Sequence, residues 1–373
     1  MEITRENVLE VLGSILEPDL KKDLVSANLV EDLTVEGNKI SLKVFVTNPA
    51  MHAKKRMQEA IDFNLKNKLG DDIEIEASVQ GLPADAKKSQ RKILPEVKNI
   101  VAISSGKGGV GKSTIAANLA VGLSDLGYKV GVIDADIYGP SMHIMFGLEG
   151  ATPSTVNVDG KSKIKPLESY GVKLLSIGFF AQSQQAVVWR GPMAVKALKQ
   201  LIFDADWGEL DYLIIDTPPG TGDVHLSIVQ SLPLTGAVVV TTPQSVALAD
   251  AKKAIAMFKM DNINVPIIGL VENMSWFTPK NHPDEKYFIF GENGGENLSK
   301  SLDISLLGKI PLVQSIRQSG DAGRPAVLQQ ETVVEKYYDN LCDELMKNID
   351  QRNANLEGTK VVEVEYGEPK CSK

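Results

Sequence analysis

Residues 106–114 read Gly106-Lys107-Gly108-Gly109-Val110-Gly111-Lys112-Ser113-Thr114 and satisfy GxxxxGK[ST], a spacing that leaves the chain few folds to choose from. The apolar run NIVAIS precedes the glycines, and the helical run STIAANLAVGLSDLG follows them, with Gly127 placed as its C-terminal stop. A strand, a glycine-rich turn and a helix in that order make a phosphate cradle. Glycines let backbone amides turn inward around phosphate oxygens, and the helix N-terminus adds its positive end at the same point. Lys112 is expected on the β and γ phosphates and Ser113 on magnesium. Lys107, a second lysine within the loop, reads equally well as a solvated charge or as a group reaching the nucleotide of a facing subunit.

The rest of the chain agrees with that choice. From Ile100 onward, short apolar runs (NIVAIS, KVGVID, VKLLSI, DYLIID, GAVVVT, PIIGLV, ISLLGKI) alternate with helical stretches. This is the grammar of βαβ units. Their unbroken apolar character predicts an α/β fold, a mostly parallel sheet with helices on both faces. Glu149 to Lys165 interrupts the rhythm as an excursion with a turn at Asp159 and Gly160. The chain before this region reads as a small α+β domain: helical spacing in Val8, Val11, Leu12, Ile15 and Leu16, an alternating strand through Ile40, Leu42, Val44 and Val46, a helix from Met51 to Leu69, and a strand through Ile73 to Val79. The expected organisation is a small domain over 1–82, a polar linker over 83–97, a P-loop domain over 98–350 and a polar tail over 351–373.

Composition bears mainly on what the chain does not do. With 40 basic against 48 acidic residues, the formal net charge of −8 argues against a whole-surface grip on nucleic acid. The clustered Lys87, Lys88, Arg91 and Lys92 belong to the polar linker. The apolar runs around Ile214 and Val238 fall well short of the roughly 20 residues needed to span a bilayer. The first residues lack the basic start and apolar run of a secretory signal, so the expected location is cytoplasmic, with no membrane partner. Two cysteines, Cys342 and Cys371, form no CxxC, and four scattered histidines lack metal-ligand spacing.

Two acidic points belong with the phosphate loop. Asp216 ends the strand DYLIID, where its carboxylate can hold a magnesium-bound water, and Thr217 to Asp223 form a loop able to sense the γ-phosphate. Asp134 and Asp136 end the strand before DIYGP, with alternation placing both on one side. Asp136 is assigned to the attacking water and Asp134 to a supporting role.

These residues resemble the deviant phosphate loop of the MinD, ParA and nitrogenase iron-protein superfamily. More specifically, DADIYGPSMHIMFG, WRGPM at Trp189 to Met193, IIDTPPGTGDVHL, ENMSWF, IFGENGGENL and LGKIPLVQSIRQSGDAGRP resemble the Mrp/ApbC group of iron-sulfur cluster carrier ATPases, over about residues 98 to 326. The small N-terminal unit resembles the iron-sulfur-assembly-associated domain that some of these proteins carry. The resemblance implies ATP and Mg2+ as ligands, slow ATP hydrolysis, and a homodimer in which Lys107 reaches across the interface. It makes Asp136 the catalytic aspartate, Gly220 a phosphate-sensing backbone position, and Asn273 a reader of adenine, with the loop after Pro311 on the other side of the base. It implies iron-sulfur apo-proteins or scaffold proteins as partners.

The sequence departs from that group at both places where a thiolate is expected. The stretch Thr278 to Gly291, TPKNHPDEKYFIFG, contains no CxxC, and VTNPAMHAKK carries Met51 where the N-terminal domain has its cysteine. A thioether is a poor substitute for a thiolate at a cluster. Cys371 remains as a candidate ligand in a dimer, with His282, Asp284 or Glu285 beside it, while Cys342 reads as a small hydrophobe in a helix. The expected function is an ATP-hydrolysing carrier or assembly factor for iron-sulfur protein maturation. The alternative is a MinD- or ParA-like nucleotide-switched positioning factor outside iron-sulfur metabolism.

Overall fold

The computed structural model describes residues 3–18, 22–25, 29–46, 51–70, 72–81, 93–158, 160–180, 191–261, 263–279, 282 and 285–357. They form two compact units, Met1–Lys92 and Ile93–Lys373. Most of the polar run read as a linker lies outside the described residues. Ile93 and Leu94 pack against the core of the second unit and belong to it, so its body begins before the expected boundary.

In the first unit, α1 (Arg5–Leu12) is capped by Thr4, whose hydroxyl accepts from Asn7 N–H at 3.2 Å. The short strands β1 (Leu16–Glu17) and β2 (Lys22–Asp23) pair with each other. A three-stranded sheet follows in the order β3-β4-β5, from β3 (Val30–Glu36), β4 (Lys39–Val46) and β5 (Glu74–Gly81). Period-two alternation buries Ile40, Leu42 and Val44 of β4 against the helix α2 (Met51–Leu69), which contributes Met57, Ile61 and Leu65. The strand β3 escapes a pattern reading because VEDLTVE carries three acids. It forms by pairing with β4 across a turn at Gly37, whose φ of +62° needs a glycine.

The second unit is built on an eight-stranded sheet, order β10-β11-β7-β12-β6-β13-β14-β15. Its strands are β6 (Val97–Ser104), β7 (Val130–Asp134), β10 (Leu167–Ser169), β11 (Val172–Ser176), β12 (Leu210–Asp216), β13 (Gly236–Thr241), β14 (Ile267–Phe277) and β15 (Leu306–Leu312). All pair in parallel except the edge strand β10. The excursion is a hairpin of β8 (Thr155–Val158) and β9 (Lys161–Ile164), with Gly160 at φ +77° and Asp159 outside the described residues.

Two apolar layers lie on the two faces, as the unbroken strand patterns require. Val101 and Ile103 of β6, with Tyr212 and Ile214 of β12, face α3 (Lys112–Asp125) and the last helix, α10 (Val333–Asn355). Ile100, Ala102, Leu213 and Ile215 face the other way, toward α5 (Gly191–Phe203) and α6 (Asp223–Ser231). The remaining helices are the single turn α4 (Met142–Met145), α7 (Ser245–Phe258), α8 (Gly294–Leu302) and α9 (Gln314–Asp321).

The helix α10 continues beyond Asp350 into what reads as tail. Ile349 is fully buried, and Asn353 donates to Asn99 Oδ1 at 3.0 Å, so the polar turn is fastened beside the start of β6. Cys342 of α10 sits against Gly122 of α3, where any Cβ would fall 2.8 Å from its sulfur. Burial, with Asp339 and Asp343 nearby, pushes its thiol up to about 12. Native protein at pH 8 should therefore leave Cys342 unreacted with a thiol reagent, and Gly122→Val should destabilise by about 1–3 kcal/mol through overpacking. Rapid labelling of Cys342, followed by mass spectrometry of its peptide, would contradict this packing.

Candidate nucleotide site

The site is built where the parallel strands end. Ser176, Asp134, Asp216 and Ile103 are register partners in one row across β11, β7, β12 and β6, so two carboxylates meet on neighbouring strands at the sheet's carboxyl edge. Loops after strands at this edge are where open α/β sheets bind ligands. From β6 the chain turns through Ser105–Gly111 into α3, with Gly109 at φ +81° and Gly111 at φ +84°. Gly106 is fixed for a different reason: a Cβ there would overlap the backbone of Asp250 in α7.

Lys112 opens α3 and is 6% exposed, with its ammonium 2.5 Å from Asp216 Oδ1. Ser113 donates its hydroxyl to the other carboxylate oxygen at 2.7 Å. Burial pushes the Asp216 carboxyl up, against the pull of the Lys112 ammonium. A cavity of about 240 Å³ adjoins them, lined by Gly108, Gly109, Lys112, Ser113, Asp136 and Pro219 among others. A hydroxyl and a carboxylate together at its wall are the oxygen donors that magnesium takes. Lys107 is exposed, and no ion pair is formed by it among the described residues.

Asp134 and Asp136 diverge sharply. Asp136 is half-exposed at the cavity wall, its Oδ1 accepting from Gly139 N–H at 3.2 Å. Asp134 is fully buried and accepts from the N–H groups of Asp136, Ser141 and Met142 and from the Ser176 hydroxyl, at 2.8–3.2 Å. Burial and the Asp216 charge push it up to about 7, with the Met142 N–H, the Ser176 hydroxyl and the Lys112 charge pulling the other way. The alternation that placed both on one side fails because the chain leaves β7 at Asp134. Asp134 is the post around which the Ala135–Met142 loop, and Asp136 with it, is wound.

Gly220 lies in the loop after β12 at φ +92°, with its N–H donated to Ser105 O at 2.9 Å. Asn273 is not at a strand end: β14 runs on to Phe277, with irregular pairing to β15 after Asn273 and with Met274 at φ +54°. The Asn273 amide donates to Val110 O at 2.8 Å, tying β14 to the phosphate loop. A second cavity, of about 390 Å³, is lined by Gly111, Thr114, Asn273, Met274, Pro311 and Ile316 among others. It shares Gly111, Thr114, Ser141 and Met145 with the first, so a phosphate-sized recess opens into a wider, mostly apolar slot.

Sequence reasoning passed over His225, which is 2% exposed in α6 with Nε2 3.2 Å from the hydroxyl of Ser104, the last residue of β6. No local pattern marks it, because its partner is remote in sequence. Sequence reasoning also gave the stretch after ENMSWF no fold. Phe277 and Tyr287 exchange two backbone hydrogen bonds, at 2.8 and 2.9 Å, and Lys286 lies 4.3 Å over the Trp276 ring. His282 and Glu285 pair at 3.3 Å on the surface, while Asp284 and Cys371 lie outside the described residues. Trp189 and Arg190 lie outside them too. Among the described residues no group of three or more His, Cys, Asp and Glu could hold a metal, and no helix is long and apolar enough to cross a membrane.

A strand-end phosphate loop on a mostly parallel, two-faced sheet defines a P-loop NTPase. Residues 96–346 match the family model of the NUBPL iron-transfer P-loop NTPase, and residues 5–79 match that of the iron-sulfur cluster assembly protein. An iron-sulfur cluster carrier protein of Synechocystis is 43% identical over 329 residues, covering 88% of this chain and 92% of that one. An Arabidopsis thaliana iron-sulfur protein required for NADH dehydrogenase, mitochondrial, is 46% identical over 70% of this chain and 82% of its own length. A nucleotide-binding protein from Archaeoglobus fulgidus, solved in complex with ADP, is 34% identical with a TM-score of 0.56, over 66% of this chain and 94% of that one. The chain belongs to the NUBPL iron-transfer P-loop NTPase family, the iron-sulfur carrier branch expected from its motifs.

His225 makes a pH prediction. Burial, then the Lys112 charge, pushes its imidazole down to about 4. Between that value and the ordinary histidine range, the unfolded chain binds a proton that the folded chain refuses, so stability falls as pH is lowered from about 6.5 to about 4. The part due to His225 is on the order of 3 kcal/mol and should vanish in His225→Gln. Urea denaturation of both proteins across this range reads it as a difference. Parallel curves would mean that the imidazole is not buried as described.

Proposed function

We propose that the chain is a dimeric ATPase that serves iron-sulfur protein maturation through nucleotide-controlled binding of apo-proteins or a scaffold. The observation that carries this is the convergence of Lys112, Ser113 and Asp216 at the sheet's carboxyl edge, in a chain whose two units both match iron-sulfur families. The family membership removes the support for a positioning factor outside iron-sulfur metabolism.

In this reading the backbone amides of the phosphate loop and the start of α3 hold the β and γ phosphates, with Lys112 exchanging Asp216 for phosphate oxygens. Magnesium, held by Ser113 and, through water, by Asp216, would neutralise charge on the phosphates. Asp136 orients the attacking water from the cavity wall, on a loop that Asp134 keeps wound. Lys107, exposed, serves the nucleotide of a second subunit. The slot beside Asn273 and Ile316 takes the adenine.

Lys112→Ala should weaken MgATP binding by roughly a hundredfold, as expected for loss of charge-assisted bonds, in isothermal titration. Asp136→Ala should bind MgATP within about threefold of wild type, lose roughly a hundredfold in turnover and accumulate as closed dimer on size exclusion. Hydrolysis at the normal rate in Asp136→Ala would take the water-positioning role from this residue.

A cluster, if carried, is cargo. Cys342 is buried with its thiol pushed up to about 12, which leaves Cys371 as the chain's other thiol. Anaerobic reconstitution with iron and sulfide is expected to leave no cluster that survives desalting, in wild type and in Cys371→Ser alike, while nucleotide still governs capture of an apo-protein. A stable cluster lost in Cys371→Ser would instead place the carrier chemistry in the tail.

A further inference from the structure

Three consecutive residues, the last two of β6 and Ser105 just beyond it, each hold one point of the segment that leaves β12. Ile103 O accepts from Thr217 N–H at 3.1 Å and from the Thr217 hydroxyl at 2.9 Å. Ser104 Oγ meets His225 Nε2 at 3.2 Å, and Ser105 O accepts from Gly220 N–H at 2.9 Å. Ser104, Thr217 and His225 are all buried. The Pro218–Gly222 loop is thus pinned at both ends to the strand that carries the phosphate loop. Gly220 in its middle is held by a single backbone bond to Ser105, the first residue after that strand, with open space where a Cβ would stand.

We propose that His225 is a positioning residue, the far anchor about which the Pro218–Gly222 loop rearranges when a γ-phosphate competes with Ser105 O for the Gly220 N–H. The inference rests on reading the site as an ATP site. A loop that must present one amide to a phosphate gains affinity only if its ends are already fixed, because ordering loose ends consumes binding free energy. Thr217 fixes the near end through its own backbone. The far end opens α6, and the His225–Ser104 bond ties that helix to β6.

Histidine suits the position chemically. A lysine or arginine there would stand beside the Lys112 ammonium and draw phosphate to itself. A neutral imidazole, kept neutral by burial and by Lys112, makes one hydrogen bond to Ser104 in either tautomer and adds no charge. The anchor therefore holds the loop without binding the ligand. An effect on triphosphate over diphosphate, rather than on nucleotide binding as such, separates this role from simple support of the core.

The test titrates the full-length chain with MgADP and with magnesium and the non-hydrolysable analogue AMP-PNP. In His225→Ala and in Ser104→Ala, MgADP affinity should stay within about twofold of wild type, while the preference for AMP-PNP over ADP falls roughly fivefold, the size of one ordinary hydrogen bond lost from one state. The double variant should lose no more than either single one, since both remove the same bond. His225→Gln, whose amide can occupy the Nε2 position, should recover the preference to within about twofold. An unchanged preference in His225→Ala would overturn the proposal, as would a parallel fall in both affinities and in Tm, which marks a merely structural role. Because no readout needs turnover, a wild type that binds both nucleotides but hydrolyses no ATP would defeat the ATPase reading and leave this one standing. A wild type that binds neither would defeat both.

Discussion

A lysine and an aspartate, both withdrawn from water, set the terms for the whole carboxyl edge of the sheet. Burying either ion alone would cost several kcal/mol, so Lys112 and Asp216 must stay together unless another charge takes over one of them. Their bond presses the first turn of α3 against the end of β12, and the neighbouring groups are arranged around it. Asp134, one strand away, would repel Asp216 across the row. It is instead enclosed by three backbone N–H groups and the Ser176 hydroxyl. The buried His225 imidazole is kept neutral by burial and by the Lys112 charge. Beside the phosphate loop Lys112 thus stands among Asp134, Asp136 and Asp216, an arrangement that a polyphosphate with its own cation can enter by exchange of partners. In the proposed ATP reading, Lys112 would trade its carboxylate for phosphate, leaving Asp216 free to help hold magnesium.

What could be read from the sequence was what is local. The phosphate loop declares itself because its glycines, its lysine and its flanking elements are contiguous, and α2 appears over Met51–Leu69 because its apolar stripe has helical period. The seven strand runs of the large unit are all strands of the sheet, since doubly covered strands cannot tolerate polar residues. Where one side chain answers another far along the chain, the pattern is silent. Asp134 and Asp136 look alike in DADIYGP, yet the partners that separate them include Ser176 on β11. Asn273 reads as the residue after a strand, but β14 continues through it because Phe277 is paired again with β15 and with Tyr287. The strand β3 and the last turn of α10 are polar in composition and owe their structure to neighbours, β4 in one case and Asn99 in the other.

The stretch after Trp276 lacks the CxxC that the resemblance leads one to expect there. A segment that gives thiolates to a shared cluster has to bring sulfur to an accessible surface. Here the described part of that segment is closed on itself by the paired Phe277 and Tyr287 backbones, and it is weighted down by aromatic contacts: Lys286 over Trp276, and Trp276 edge-on to Tyr337 of α10. Beyond these contacts the stretch stays at the surface, with Tyr287, Phe288 and Ile289 all exposed.

Among the described residues, none of the hydrogen bonds named at the phosphate site comes from that loop. The Lys112–Asp216 pair, the wound Asp136 loop and the anchored Pro218–Gly222 loop are held by β6, β7, β11 and β12, whereas the altered stretch extends from β14. The tie from β14 to the phosphate loop is Asn273, upstream of that stretch, so the contacts of the phosphate loop place no constraint on cysteine beyond Phe277. In the proposed reading, the residues that would hold nucleotide and those that would meet a partner or cargo are thus separate sets, and the missing CxxC falls in the second.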